Sequence, residues 1–378
     1  MKNEKKILAI ITSAPHKVKD GKYYSYGPYV REMNIWTKYA DRILVIGPRD
    51  VNNDIGEIDA PYNQSVSYSE VKAFNITSVY NVLRTLVLVP FISFKIYRVM
   101  RKADHIHLRC PCNMSLLGAF VQILLPSKRK TVKYAGNWDY DSKQPRAYRM
   151  QQNILKNTFL SKKIKVLVYG DWADATDNMI PFISATYRNN EKIPYAAKDY
   201  SNKIKFVFTA NLVVGKRPLM TIKIIELLRK NGIDAEIHMF GDGPLMNEAL
   251  SYIKENNLSD YVFMKGNQDR ETIKECLQDA HFSILPSKSE GWPKAIAEGM
   301  FFGSIPISTK ISCLPWMLDY GKRGILIEND INKALDTILE HLDKGGEYLT
   351  EMSRAAMEWS QVYTLDKLDE EIGKLVIK

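Results

Sequence analysis

The sequence predicts an α/β protein made of two parallel-sheet domains, and three observations lead there. At 378 residues the chain is too long for one ordinary core and suits two domains of similar size. Short apolar runs, such as residues 5–13 and 42–48, alternate with helical segments in the manner of right-handed βαβ units, and a second series opens at residue 205. An apolar content of 45% with 25% charged residues is that of a soluble globular chain.

Charge is split unevenly. Residues 1–200 hold 31 Lys and Arg against 17 Asp and Glu, whereas the remainder holds 22 against 26. A basic first half implies an anionic partner, with nucleic acid and an anionic membrane surface as the usual candidates. Cys110, Cys112, Cys276 and Cys313 form no even framework, and Cys110-Pro-Cys112 lacks a second ligand pair for zinc, so reduced thiols are expected. The first residues, Met1 to Ile7, read as a charged lead into a strand without a signal-peptide cleavage pattern.

The stretch most informative about chemistry lies at residues 281–299. His281 to Pro286 reads as a buried strand and its exit, Gly291 and Pro293 shape a turn, and a helix starts with proline in its first turn. Such a junction gathers unpaired backbone N–H groups and a partial positive charge at one point, which suits phosphate. Glu290 sits in the turn and Glu298 about one and a half turns into the helix. Two carboxylates beside an anion make sense as acceptors for hydroxyls on either side of a diphosphate, the sugar and the ribose. The plainer reading is a helix with an ordinary polar N-terminus.

Glu290 and Glu298, set in Pro-Ser-x-x-Glu-Gly-Trp-Pro, resemble the E-x7-E signature of retaining GT-B glycosyltransferases of family 4. Residues 303–307 (Gly-Ser-Ile-Pro-Ile) and 320–327 (Tyr-Gly-x-x-Gly-Ile-Leu-Ile) are similar to that family's next strand and glycine-marked turn. The resemblance implies two Rossmann-like domains facing across a cleft, with a C-terminal helix crossing back to the first. The expected divisions are an acceptor-binding domain at 1–198, a nucleotide-sugar-binding domain at 203–355 and the returning helix at 356–378.

In chain order, residues 5–13 read as a strand, 20–27 as a loop of glycine, tyrosine and lysine, 28–39 as a helix and 42–48 as the next strand. Loops at the carboxyl ends of such strands carry the site. Tyr26-Gly27-Pro28 stands where the family often has a double glycine, so only Gly27 carries over as a donor contact. Residues 79–100 are the most hydrophobic segment, with Arg84, Lys95, Arg98, Arg101 and Lys102 flanking or interrupting it. Its uncharged run is about half of what spans a bilayer. It reads either as a helix packed on the first sheet or as a basic–apolar segment lying on a membrane.

Residues 104–111 follow as a strand. Arg109 falls where many relatives have histidine. Arginine cannot act as a base near neutral pH, but it can steady charge on a leaving diphosphate or an acidic acceptor; the alternative is an ordinary structural arginine. His107 is read as facing the core. Asn137-Trp138-Asp139, at the exit of the strand 129–134, suits a polyol acceptor through a flat apolar face and polar side chains. Asp139-Tyr140-Asp141 also spells the D-x-D that binds metal in GT-A enzymes; with no other GT-A feature it is read as coincidence. Residues 187–202 read as a linker.

The second domain opens at residues 205–212. The family places an arginine and a lysine near this point, both on the donor's diphosphate. Lys216 matches the lysine, Asn211 replaces the arginine, and Arg217 is a candidate to compensate. Gly241 marks the glycine turn after the next strand, and Asn267 ends the strand that usually meets the nucleotide base. Helices are expected at 219–230, 331–342, 347–361 and 365–376.

The resulting expectation is a hexosyltransferase-type enzyme moving a sugar from a nucleotide diphosphate sugar, a UDP-sugar by family habit, to a hydroxyl of a glycan or lipid-linked acceptor. Bacterial surface polysaccharide synthesis is the expected setting, with retention of anomeric configuration and no cofactor, bound metal or nucleic acid. Catalysis is assigned to Glu290, Lys216 and Arg109, with cations and helix dipole stabilising the departing diphosphate. The donor is expected to meet Gly27, Asn211, Lys216, Arg217, Gly241, Asn267, Glu290, Gly291, Trp292, Pro293, Lys294 and Glu298; the acceptor is expected at Asn137, Trp138 and Asp139. The expected location is the cytoplasm, on the inner membrane face if residues 79–100 dock there. A sugar-nucleotide 2-epimerase on the same fold needs acid–base groups and no second substrate. A basic RNA-binding or scaffold protein needs clustered Lys and Arg with interleaved aromatics or a named RNA motif, and neither is present.

Overall fold

The computed structural model describes residues 6–56, 58–72 and 79–377. The lead at Met1 to Lys5 and the Arg84 side chain, both named above, lie outside the described residues. The chain divides into two compact units, one of Met1–Phe182 with Asp369–Lys378 and the other of Ile183–Leu368.

Unit 1 opens with β1 (Ile7–Ile11), in which Leu8, Ala9, Ile10 and Ile11 are all fully buried, as a strand covered on both faces requires. Next come β2 (Lys17–Lys19) and β3 (Lys22–Tyr26), where a loop is predicted. They form an antiparallel hairpin whose two turn residues, Asp20 and Gly21, both have positive φ (50° and 72°). Asp-Gly between alternating residues favours such a turn because its twist matches that of the flanking strands. The hairpin is joined by β5 (Asp59–Pro61) in a small three-stranded sheet.

Between them run α1 (Gly27–Thr37) and β4 (Arg42–Pro48), followed by β5 (Asp59–Pro61), β6 (Val66–Val71) and α2 (Val79–Lys102). The rest of the unit is β7 (His105–Cys110), α3 (Asn113–Val121), β8 (Arg129–Tyr134), α4 (Arg146–Lys156), β9 (Ile164–Val168) and β10 (Met179–Pro181). The main sheet is parallel in the order β10-β9-β8-β7-β1-β4-β6. Ile92, Ile96 and Met100, one turn apart on α2, pack into the core beneath it.

Unit 2 alternates β11 (Ile204–Thr209), α5 (Pro218–Lys230), β12 (Ala235–Phe240), α6 (Met246–Glu255), β13 (Val262–Gly266), α7 (Arg270–Asp279), β14 (Phe282–Leu285) and α8 (Lys294–Phe301). It continues through β15 (Ile305–Thr309), α9 (Leu314–Met317), β16 (Ile325–Ile327), α10 (Ile331–Asp343) and α11 (Gly346–Ser360). Its six parallel strands lie in the order β13-β12-β11-β14-β15-β16. The segment read as a linker is in part packed: Tyr187 is buried against Phe301 and Phe302, with the Arg270 guanidinium 4.7 Å from its ring.

The last helix, α12 (Leu365–Ile377), returns to unit 1 from Asp369 onward. There Tyr39 Oη donates to the Asp369 carbonyl at 2.9 Å and carboxylate at 2.6 Å, Lys38 pairs with the same carboxylate, and Ile372 is buried.

The chain leaves the first strand of each sheet in one direction and later resumes on its other side. Strand order therefore reverses between β1 and β7 in unit 1 and between β11 and β14 in unit 2. In open α/β sheets ligands bind outside the carboxyl ends of the strands at such points.

Candidate active site

In unit 2 the loops leaving β11 and β14 meet at the reversal. Lys288 N donates to Gly215 O at 2.8 Å, and Arg217 Nη1 reaches Pro286 O at 3.3 Å. This brings Lys216 and Glu290 together, with Nζ donating to Oε1 at 2.5 Å. The Glu290 carboxylate is buried, while the Lys216 side chain is 29% exposed. Gly291, Trp292, Pro293 and Lys294 lead into α8, whose N-cap is Pro293 and makes no side-chain cap. The N–H groups of Lys294 and Ala295, the first of that helix and four and five residues after Glu290, therefore have no intrahelical partner. Gly299 lets α8 press on β14, since a Cβ there would lie 2.3 Å from Ser283 Oγ.

Side chains from β15 and its exit hold the motif loop through its carbonyls. Ser308 Oγ donates to Leu285 O at 2.6 Å, Thr309 Oγ1 to Ser287 O at 2.5 Å and Ser312 Oγ to Glu290 O at 2.6 Å. Cys313 Sγ adds a contact to Gly291 O at 3.0 Å. Sequence reading missed this clamp, because nothing at residues 308–313 announces a partner some twenty positions earlier.

The other assigned donor residues are distributed differently. Gly241, with φ of 126°, brings the exit of β12 against β11, where a Cβ would lie 2.0 Å from Ala210 O. Asn211 and Asn267 are exposed at the exits of β11 and β13. Trp292 is buried and stacks on Trp359 with Tyr363 at its edge, so its ring belongs to a core and only its backbone is left for a ligand. Glu298 Oε1 accepts from Thr186 Oγ1 at 2.7 Å, and burial pushes its carboxyl above the usual range.

In unit 1, Arg109 near the end of β7 donates from Nη1 to Glu32 Oε1 at 3.0 Å, and Lys133 Nζ on β8 lies 3.1 Å from the same oxygen. Sequence reading missed Glu32 and Lys133: their partners lie far away in sequence, and a lysine inside a strand looks like a solvent-facing residue. Lys133 is wholly buried, and desolvation brings its ammonium down to about 8 despite Glu32. His107 is buried, and burial keeps it neutral by driving its pKa well below the usual value.

Gly27 is required by packing, since its Cβ would come 2.4 Å from Ile58 O. Trp138, expected as an acceptor platform, is a core residue: it is buried and meets Tyr134 edge-on at 4.8 Å. Its neighbours fold the loop on itself, with Asn137 Oδ1 accepting from Asp139 N and Asp139 Oδ1 from Asp141 N.

Two parallel-sheet α/β units with a returning C-terminal helix define the GT-B fold. HepE of Anabaena in complex with UDP shares it, with a TM-score of 0.65 over 98% of each chain at 15% identity. Within this fold, residues 189–359 match the glycosyl transferases group 1 family. The poly(ribitol-phosphate) alpha-N-acetylglucosaminyltransferase of Staphylococcus aureus (strain COL) is 29% identical over 41% of this chain and 31% of that one. Protein CapJ of Staphylococcus aureus is 27% identical over 75% of this chain and 73% of its own length. The first curated relatives are matched over 31% to 45% of their own length.

Proposed function

We propose that the chain is a retaining glycosyltransferase that moves a sugar from a nucleotide diphosphate sugar to a hydroxyl of a glycan or lipid-linked acceptor, in bacterial surface polysaccharide synthesis. The observation that carries this reading is the meeting of Lys216 and Glu290 at the sheet reversal of unit 2, beside the uncapped N-terminus of α8. Lys216 and the helix N–H groups supply positive charge where a leaving diphosphate gains negative charge, and stabilisation of growing charge lowers the barrier. Without a ligand, Glu290 holds the lysine; with one, its carboxylate accepts hydroxyls of the donor sugar. UDP is the favoured nucleotide, as in the HepE complex. Our reading uses no cofactor or bound metal.

The same proposal places the protein on the inner face of a membrane. On α2, Val87, Phe91 and Phe94 form a stripe that is 61% to 69% exposed, and exposed Arg98, Arg101 and Lys102 continue toward the helix end. This is the composition of an interfacial helix. Among the described residues no helix is long and apolar enough to cross a membrane.

A panel of UDP-, GDP- and ADP-sugars tests the reading by thermal shift and turnover. A ligand at 100 times its dissociation constant stabilises by about 2.7 kcal/mol. Release of free sugar, or transfer to a polyol, with the anomeric configuration kept is expected from one nucleotide class and should survive EDTA. Epimerised donor without transfer would replace this reading by an epimerase, and no response to any nucleotide sugar would remove it.

A further inference from the structure

A groove of about 460 Å³ runs along α4 in unit 1 and shares no residue with the site described above. Arg146, Arg149, Met150 and Asn153 recur at the three- and four-residue spacing of one helix face, and Asn157 and Leu160 continue it past the helix end. Both arginines, Met150 and both asparagines are exposed, so a ligand can reach them. Ile154, buried beneath, and Leu160 add apolar surface. No carboxylate lines the groove, and neither arginine forms an ion pair with a described residue. Its charge is therefore open to an anion from outside.

The polar groups are held for a particular kind of guest. Arg149 Nη2 donates to Ser142 O at 3.3 Å, and the guanidinium lies 5.8 Å from the Tyr140 ring. That loop is tied to α4 in turn, with Gln152 Nε2 donating to Trp138 O at 2.9 Å. The rest of the Arg149 fork matches two oxygens of a phosphate or carboxylate. Asn153 Nδ2 reaches Tyr140 Oη at 3.5 Å, and Asn157 Oδ1 accepts from Phe159 N and Leu160 N, each at 3.0 Å. One amide acceptor and one amide donor are left, which suit hydroxyls and not an acyl chain. Position agrees: α4 joins the parallel strands β8 and β9, so its arginine-bearing start lies at the carboxyl end of the sheet, where ligands bind.

We propose that this groove holds an anionic glycan, a stretch of the acceptor that carries phosphate or carboxylate groups on a hydroxyl-rich chain. This rests on the glycosyltransferase reading above and names the chemistry of its second substrate. Arg146 and Arg149 take the charged groups, Asn153 and Asn157 the hydroxyls, and Met150 with its apolar neighbours the carbon faces of the sugar rings.

Phosphorylated dextran oligosaccharides are the probe, with unmodified dextran of the same length and phosphatidylglycerol vesicles as comparisons, followed by calorimetry at fixed salt. The wild-type protein should bind the phosphorylated dextran about tenfold or more tightly than the unmodified one. Arg146→Gln combined with Arg149→Gln should remove most of that difference and leave vesicle binding, which α2 carries, unchanged. Arg146→Gln alone should weaken binding severalfold at an unchanged unfolding temperature, since its side chain has no partner to lose among the described residues. Asn153→Ala should also weaken binding severalfold; no change there would reduce the groove to a patch of charge and overturn the glycan. Phosphorylated dextran bound equally well by the double variant, or not bound by the wild-type protein, overturns the proposal. So does a double variant that loses vesicles and keeps phosphorylated dextran, which would assign the groove to lipid. UDP binding should be the same in every variant. Its absence from the wild-type protein would signal failure of the glycosyltransferase reading instead.

Discussion

The two charge clusters occupy equivalent places in their sheets and are built in opposite ways. Lys216 and Glu290 ride on loops from neighbouring strands, one cation on one carboxylate, with the lysine partly exposed. Arg109, Lys133 and Glu32 ride on two strands and a helix, two cations on one carboxylate, with the lysine wholly enclosed. A pair on loops can part when a ligand arrives. A network on rigid elements is held in one arrangement by the elements that carry it.

The largest effect that separates them is on stability. Glu32→Gln removes the carboxylate of two cations and leaves Lys133 buried without it, which costs about 3–5 kcal/mol. Glu290→Gln leaves a partly exposed Lys216 that water can solvate, for about 1 kcal/mol. Urea unfolding, followed by a probe in each unit because two-unit chains need not unfold in one step, measures both. Equal losses would break the distinction between rigid and loop-borne clusters. Lys133 also leaves a mark on pH dependence. Its folded-state pKa of about 8 lies below the unfolded value near 10.5, so from about pH 8 upward the unfolded chain binds more protons and stability rises with pH. Lys133→Met should reduce that rise; Lys130 and Lys198, also lowered to about 8 by burial, supply what remains.

Next in size is catalysis. Lys216→Ala should lower kcat about a hundredfold with a smaller change in KM, because its partner charge develops as the bond breaks. A raised KM with unchanged kcat would make Lys216 a binding residue. The comparison would then sharpen to rigidity alone, since neither cluster would discriminate the transition state.

How much of this the sequence disclosed follows from the same contrast. The Glu290 loop was legible because a strand, a turn and a helix start impose local residue choices: apolar run, glycine, proline. Lys216 followed from its match in the resemblance. Glu32 and Lys133 were not legible, since a contact 77 residues apart between Glu32 and Arg109 depends on how α1 crosses β7 and leaves no spacing signature. Trp138 shows the reverse error. An aromatic between polar neighbours at a strand exit suggested a platform, but the ring turns inward onto Tyr134. The β2–β3 hairpin was readable in principle from Asp20-Gly21 and was obscured by its short strands.

A smaller effect probes the surface of unit 1. Surface attraction is worth about 1 kcal/mol per Lys or Arg near an anionic membrane and is screened by salt. Arg98→Ser should therefore weaken binding to anionic vesicles roughly fivefold, leave neutral vesicles unbound and leave UDP binding by unit 2 unchanged. Equal binding to neutral and anionic vesicles would assign the Phe91–Phe94 stripe to apolar contact alone.

The smallest effect tests how firmly the loop carrying Glu290 is held. Cys313 Sγ contacts Gly291 O, and Ser312 Oγ donates to the carbonyl of Glu290 itself. Burial pushes the Cys313 thiol up to about 12, so it stays protonated across the neutral range and available as a donor. A neutral hydrogen bond contributes about 0.5–1.5 kcal/mol net, and a thiol is a weak donor, so Cys313→Ala should cost at the low end. Ser312→Ala should cost more. Both should lower kcat a few-fold by loosening Glu290 against Lys216, and Cys313→Ser, which restores a donor, should recover most of the loss. Stability and kcat both unchanged in Ser312→Ala and Cys313→Ala would show that the loop is held by its other bonds, those to Gly215, Arg217, Ser308 and Thr309.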